Sequence, residues 1–167
     1  SLVLCLTDGC GGHGGRNFAR VLRGVVTVTD FRVAAGERVG ADGDVTVQCQ
    51  TAEVEGELVS LASTGNGVNG GSITIEAQGD IVVTGRIEAG AGTDGSSTGV
   101  GGNGGAGGSV ALKSAAGSVT LGVTAVVAGA RPKQAGGGAS LRSGDGGNGG
   151  NGTFGGAGGN GGDITIE

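Results

Sequence analysis

Residues 146–167 read GGNGGNGTFGGAGGNGGDITIE, a glycine-rich run that passes without a break into Asp163-Ile164-Thr165-Ile166. The first part has the composition of a flexible linker. The second has the alternation of a half-buried strand. The same junction occurs at Gly70-Gly71-Ser72-Ile73-Thr74-Ile75 and at Gly107-Gly108-Ser109-Val110-Ala111-Leu112, with a worn copy at Asp42-Gly43-Asp44-Val45-Thr46-Val47. A feature repeated four times is a structural unit, and repeats of this kind are the signature of stacked architectures.

Each internal copy is followed by a second apolar run: Val54 to Leu58, Ile81-Val82-Val83, and Val119-Thr120-Leu121. A third run follows in Arg86-Ile87-Glu88-Ala89 and in Thr124-Ala125-Val126-Val127, and an earlier irregular unit spans Val25 to Val39. The first strands start 28, 37 and 54 residues apart (Val45, Ile73, Val110, Ile164). The strands keep their length and the glycine-rich connections grow, over about residues 64–70, 91–108 and 130–162. Growth at one fixed place in a repeat is how a stacked coil accepts insertions. Alternation turns Ile73 and Ile75 inward and Thr74 outward, with Val45/Val47, Val110/Leu112 and Ile164/Ile166 stacked on them. The expected fold is all-β, a parallel β-helix (β-solenoid) over residues 25–167, preceded by an N-terminal segment, residues 1–24, that acts as an inter-subunit strand or a cap.

Composition agrees. Of 167 residues 44 are Gly, and Trp, Tyr and Met are absent, which leaves three Phe as the only aromatics. Interior Gly disfavours helix by up to ~1 kcal/mol each, while Val, Ile and Thr favour extended backbone. The formal net charge of −5 gives no general attraction to nucleic acid. The basic group Arg16, Arg20, Arg23, Arg32 and Arg38 lacks the stacking aromatics that single strands favour. No apolar run approaches the ~20 residues of a membrane span. Ser1 to Leu6 is too short for a signal-peptide core, so the chain is read as one from which a targeting segment has been removed, or as a piece of a larger protein.

The insertions have a period of their own. Gly101-Gly102-Asn103, Gly104-Gly105-Ala106 and Gly107-Gly108-Ser109 are successive triplets, as are Gly146-Gly147-Asn148, Gly149-Gly150-Asn151, Gly155-Gly156-Ala157, Gly158-Gly159-Asn160 and Gly161-Gly162-Asp163. Gly11-Gly12-His13 and Gly14-Gly15-Arg16 follow the same rule. An extended left-handed helix has three residues per turn, so Gly at two of every three positions bares two edges for close packing. The expectation is a packed glycine layer beside the strands, with Asn103, Asn148, Asn151 and Asn160 outward.

The stretch GGSITIEAQGDIVVTGRIEAGAG (residues 70–92) resembles the coils of Gly-rich parallel β-helix regions in large secreted bacterial surface proteins, including the haemagglutinin-like adhesins. The GGX triplets are similar to the polyglycine-II bundles of snow-flea antifreeze protein and of some phage tail-tip adhesins. The resemblance covers roughly residues 25–167 and implies an extracellular structural, adhesive or recognition role.

Individual residues add less. Cys5, Cys10, Cys49 and His13 could form a Cys3His zinc site, but their spacings fit no standard finger. A disulfide among the three cysteines, with one left over, suits an exported chain better, and spacing does not choose between Cys5–Cys10 and Cys10–Cys49. Residues 158–166 approach the calcium nonapeptide, with Thr165 at its large apolar position, and no metal or cofactor is assigned. Asp80, Glu76 and Glu88 could serve a glycan-processing β-helix enzyme, although sugar stacking would have only Phe18, Phe31 and Phe154. Thr46, Thr74 and Thr165 suggest an ice-binding column, interrupted by Ala111. The leading expectation is a secreted, non-enzymatic structural protein: a head-to-tail filament subunit or an adhesin module. In it, Leu2, Val3, Leu4 and Leu6 of one subunit meet Ile164 and Ile166 of the next, with a cell-surface or glycan partner as a further expectation.

Overall fold

The computed structural model describes residues 18–122 and 139–167, and these residues form strands, turns and extended segments with no helix. Twelve strands follow one another as β1 (Arg20–Thr27), β2 (Asp30–Val33), β3 (Arg38–Cys49), β4 (Thr51–Val54), β5 (Glu57–Ser60), β6 (Ile73–Ala77), β7 (Ile81–Val83), β8 (Arg86–Glu88), β9 (Val110–Ser114), β10 (Val119–Leu121), β11 (Ser140–Arg142) and β12 (Ile164–Ile166). All pairings are parallel. One eight-stranded sheet runs β11-β8-β5-β3-β6-β9-β12 with β1 also on β3, and a four-stranded sheet runs β10-β7-β4-β2.

β3 is long because it serves both halves of the larger sheet. Its first half pairs with β5, Val39 opposite Leu58, and its second half pairs with β6, Val45 opposite Ile73 and Val47 opposite Ile75. Between the halves, Gly43 turns the chain at φ 70°. The corresponding turn in β1 is Gly24 at φ 59°, where the register slips. A side chain at either position would sit in the left-handed region that glycine tolerates best.

The registers carry the alternation from strand to strand. Val45, Ile73, Val110 and Ile164 are cross-strand partners, as are Val47, Ile75, Leu112 and Ile166. Ala52, Ile81 and Val119 form a column in the smaller sheet, beside Val54, Val83 and Leu121. Both sheets feed one aliphatic core in which Val33, Val39, Val47, Val54, Leu58, Ile73, Ile75, Ile81, Ile87 and Leu112 are fully enclosed. Phe31 is the aromatic of that core, with the Arg20 guanidinium 5.6 Å from its ring centre.

Three expectations from the sequence are corrected. The strand placed over Val54 to Leu58 is two strands, β4 and β5, separated by a corner at Glu55-Gly56, where a side chain on Gly56 would strike the carbonyls of Ala34 and Glu37. The third strand assigned to Thr124-Ala125-Val126-Val127 lies outside the described residues, and the place beside β8 is taken by Ser140–Arg142, with Leu141 opposite Ile87. β11 therefore interrupts the insertion placed at residues 130–162. The boundary between residues 1–24 and 25–167 also shifts: β1 begins at Arg20, paired with Val39.

Candidate assembly surface

Two triplet-built hairpins and one shorter segment leave the stack at the corner between the two halves of the large sheet. In chain order their legs cover residues 64–72, 89–97, 101–109, 143–151 and 155–163, termed here segments one to five. Their backbone hydrogen bonds follow a three-residue rule. In segments three to five the N–H of each middle residue donates to the middle carbonyl of the preceding segment. Thus Gly102, Gly105 and Gly108 donate to Ser96, Thr93 and Gly90. Gly144, Gly147 and Gly150 donate in turn to Gly108, Gly105 and Gly102, and Gly156, Gly159 and Gly162 to Gly150, Gly147 and Gly144. In segments two and three the N–H of the first glycines donates to a third-position carbonyl two segments on: Gly92 and Gly95 to Asp145 and Asn148, and Gly101, Gly104 and Gly107 to Phe154, Ala157 and Asn160. Consecutive segments are antiparallel and alternate segments are parallel.

The third residue of each triplet has a task that composition did not reveal. Asn103, Asn148, Asn151 and Asn160 are exposed. Asn103 nevertheless accepts the Ala157 N–H at 3.0 Å through Oδ1. Asn69 does the same for Ala106 at 2.9 Å, and Asp94 for Asn148 at 2.7 Å. A parallel ladder marks the strand entrances: Ser72 N–H to Asp44 Oδ1, Ser109 N–H to Ser72 Oγ, and Asp163 N–H to Ser109 Oγ, at 2.9, 3.1 and 3.0 Å. The third-position N–H groups of Ala106, Ser109, Asn148, Ala157 and Asp163 are thus each met by a short polar side chain two segments earlier. The signal for this is present in the sequence, since Asn, Asp and Ser recur at third positions.

Glycine is required here by proximity. Side chains at Gly104, Gly105, Gly108 or Gly147 would collide with the backbone of Gly147, Val68, Gly71 or Thr93 respectively. The fifth segment breaks this pattern on one side. Its middle glycines are as tightly placed as the others, yet a side chain on Gly155 would meet nothing within 4 Å, and on Gly158 and Gly161 only Gly147 O at 3.5 Å and Gly144 O at 3.9 Å. Among the described residues, the carbonyls of Gly156, Gly159 and Gly162 accept no hydrogen bond. β12 continues this edge. Among the described residues it pairs with β9 alone, and Ile164 and Ile166 are 45% and 48% exposed where their column partners Val110 and Leu112 are fully buried.

The other sequence candidates are dispersed. Leu2, Val3, Leu4, Leu6, Cys5, Cys10 and His13 lie outside the described residues. Cys49 is a buried free thiol, and burial pushes its pKa up. Among the described residues no group of three His, Cys, Asp or Glu side chains is placed to hold a metal ion. Thr46, Thr74, Ala111 and Thr165 do share one outward column. Glu76 accepts from Gln48 Nε2 at 3.1 Å, Asp80 accepts from Ser118, and Glu88 pairs with Arg86, so each of the three acids is engaged by a different neighbour. Glu88 and Arg86 line a groove of about 1030 Å³ between the β5–β8 face and the glycine layer, with Phe18, Val59 and Leu61 on its apolar side.

No helix is long and apolar enough to cross a membrane among the described residues. Comparison with known proteins finds no family model, no curated protein and no solved structure that matches this chain.

Proposed function

We propose that this chain is a β-solenoid carrying polyglycine-II-like insertions, and that it serves as a non-enzymatic structural module of an extracellular fibre or cell surface. The observation that supports the reading is the shared register of strands and glycine segments. Every added turn of the stack adds strands to the core and legs to the layer under one hydrogen-bonding rule, so the body is stiff and its edge can be extended. Such an edge, with unpaired backbone groups and half-exposed isoleucines, favours contact with another chain. Sedimentation velocity and electron microscopy of the purified chain test this. Concentration-dependent, rod-shaped assemblies are expected, and a monodisperse monomer at high concentration refutes the self-association. Turnover of a polysaccharide by the pure chain would overturn the non-enzymatic part.

An adhesive role has its own support at the far ends of the hairpins. Val100 and Phe154 are 69% and 72% exposed, and their tips adjoin through Gly101 N–H to Phe154 O and Thr153 N–H to Gly99 O. An exposed ring on a rigid tip suits stacking on a sugar or an apolar surface patch. Loss of surface or glycan binding in Phe154→Ser, with the fold retained, is the outcome this reading expects.

A further inference from the structure

The free side of the fifth glycine segment has the shape of an acceptor for one more segment of the same kind. We propose that residues 8–16 of a second copy of this chain dock there, antiparallel to residues 155–163. The inference rests on the self-association read above and names its contact.

Three observations converge on this edge. First, glycine at 155, 158 and 161 answers no packing demand within the described chain, whereas Gly101, Gly104 and Gly107, the equivalent positions of the third segment, press against the backbone of the fourth. None of the three has a positive φ, so backbone conformation does not demand glycine either. Second, the carbonyls of Gly156, Gly159 and Gly162 lack the donors that the lattice rule supplies to every comparable carbonyl of the third and fourth segments. Third, the adjoining β12 leaves Ile164 and Ile166 half uncovered, so apolar area and unpaired backbone lie on one continuous edge.

The occupant follows from the triplet phase. A docking segment needs glycine at three successive middle positions, because the middle residue lies against its neighbours. Residues 8–16, DGCGGHGGR, have Gly9, Gly12 and Gly15 in that phase. Antiparallel docking sets their N–H groups against the carbonyls of Gly162, Gly159 and Gly156, continuing the spacing by which the fifth segment bonds the fourth. The first segment is no substitute. It carries Val68 at a middle position, 40% exposed, which holds its free side away from another backbone.

Chain length decides that the docking is between copies. Ala19 is fixed at the β1 end of the stack by its N–H to Arg38 O at 2.8 Å. From β1 through β3, β6 and β9 to β12 is four strand spacings, about 19 Å, and the docking position is one spacing beyond. The three residues from Arg16 to Ala19 reach at most about 11 Å. A copy therefore cannot fill its own edge, and the contact is head to tail, a geometry that propagates when it does not close.

The test uses the full chain with two kinds of variant. Gly158→Val blocks the edge, and Gly12→Val blocks the docking segment; Gly155→Ala is a milder edge variant in open space. Circular dichroism melting should be unchanged in the edge variants, and sedimentation should show self-association weakened about tenfold or more in all three. Mixing Gly158→Val with Gly12→Val leaves one intact edge and one intact segment, so dimers should form and no longer species. Polymer surviving at wild-type affinity in Gly158→Val or Gly12→Val, or a mixture that stays monomeric, overturns the docking and leaves fibre formation standing. A wild-type chain that is itself monomeric overturns both.

Discussion

The strand stack and the glycine layer belong to one backbone and meet at Gly71, Gly108 and Gly162, yet side chains hold them together in opposite ways. In the stack, Ile73, Ile75, Val110 and Leu112 fill a narrow core, and stability comes from apolar surface withdrawn from water. In the layer the side chains that matter are the missing ones. Backbones approach until carbonyls lie where a Cβ would be, and the stabilising contacts are hydrogen bonds repeated every three residues. The lesson is that loss of volume should damage one region and gain of volume the other.

The largest effect is expected in the stack. Ile75→Ala removes a fully buried side chain between Val47 and Leu112, and a cavity there should cost about 2–5 kcal/mol. Chemical denaturation should show this as a lower midpoint for the whole chain. A cost below about 1 kcal/mol would mean the stack does not depend on its core volume.

The converse change comes next. Gly105→Ala adds one carbon where the Val68 carbonyl already stands, and Gly105 both donates to Thr93 and accepts from Gly147. Overpacking of this kind costs about 1–3 kcal/mol. Amide exchange should locate the loss in the layer, with faster exchange at Gly102, Gly105 and Gly147 and little change at Ile73 or Ile75. Gly155→Ala is the internal control, since the same carbon enters open space. Equal destabilisation by the two would erase the distinction between the layer's packed and open sides.

The two regions were also unequally legible in the sequence. The strand starts at Ile73, Val110 and Ile164 could be read because alternation and a preceding glycine pair coincide there, whereas Val45, which follows a single glycine, lies inside the long β3. β11 could not, because it offers one apolar residue, Leu141, within a polar and glycine-rich stretch, and is a strand only because Ile87 lies opposite. The Glu55-Gly56 corner was hidden for the opposite reason: apolar residues on both sides of it continued an apparent strand. In the layer the triplet phase was plain. The role of its third residues was not, because a side chain that accepts an N–H from a segment 37 or 54 residues away leaves no local pattern.

That role supplies a smaller effect. Asn103→Ala leaves the exposed third position small but removes the Oδ1 acceptor of the Ala157 N–H. A net hydrogen bond contributes about 0.5–1.5 kcal/mol. The loss should appear as faster exchange of the Ala157 amide alone, and Asn103→Asp, which keeps an acceptor, should restore protection. If neither variant changes Ala157, the third residues are surface ornament to the lattice and the rule reduces to backbone.

The smallest effect separates the regions by pH. Cys49 is a buried thiol at the end of β3, its Sγ 3.9 Å from the Glu76 carbonyl. Burial raises its pKa above the ordinary value of 9.0, with Asp30 acting in the same direction and a hydrogen bond to the Phe31 backbone opposing. The folded chain therefore keeps this proton at a pH where the unfolded chain releases it. Its contribution is fully present below the ordinary value and is lost as pH rises from there through the raised folded value. Stability measured between pH 8 and pH 10 should fall in the wild type more steeply than in Cys49→Val, which has nothing to titrate at that position. The same desolvation keeps the thiolate scarce, so alkylation of Cys49 in the native chain should be far slower than in the unfolded chain. Native alkylation at the unfolded rate, or identical pH slopes for the two proteins, would show that this end of the core is open to water.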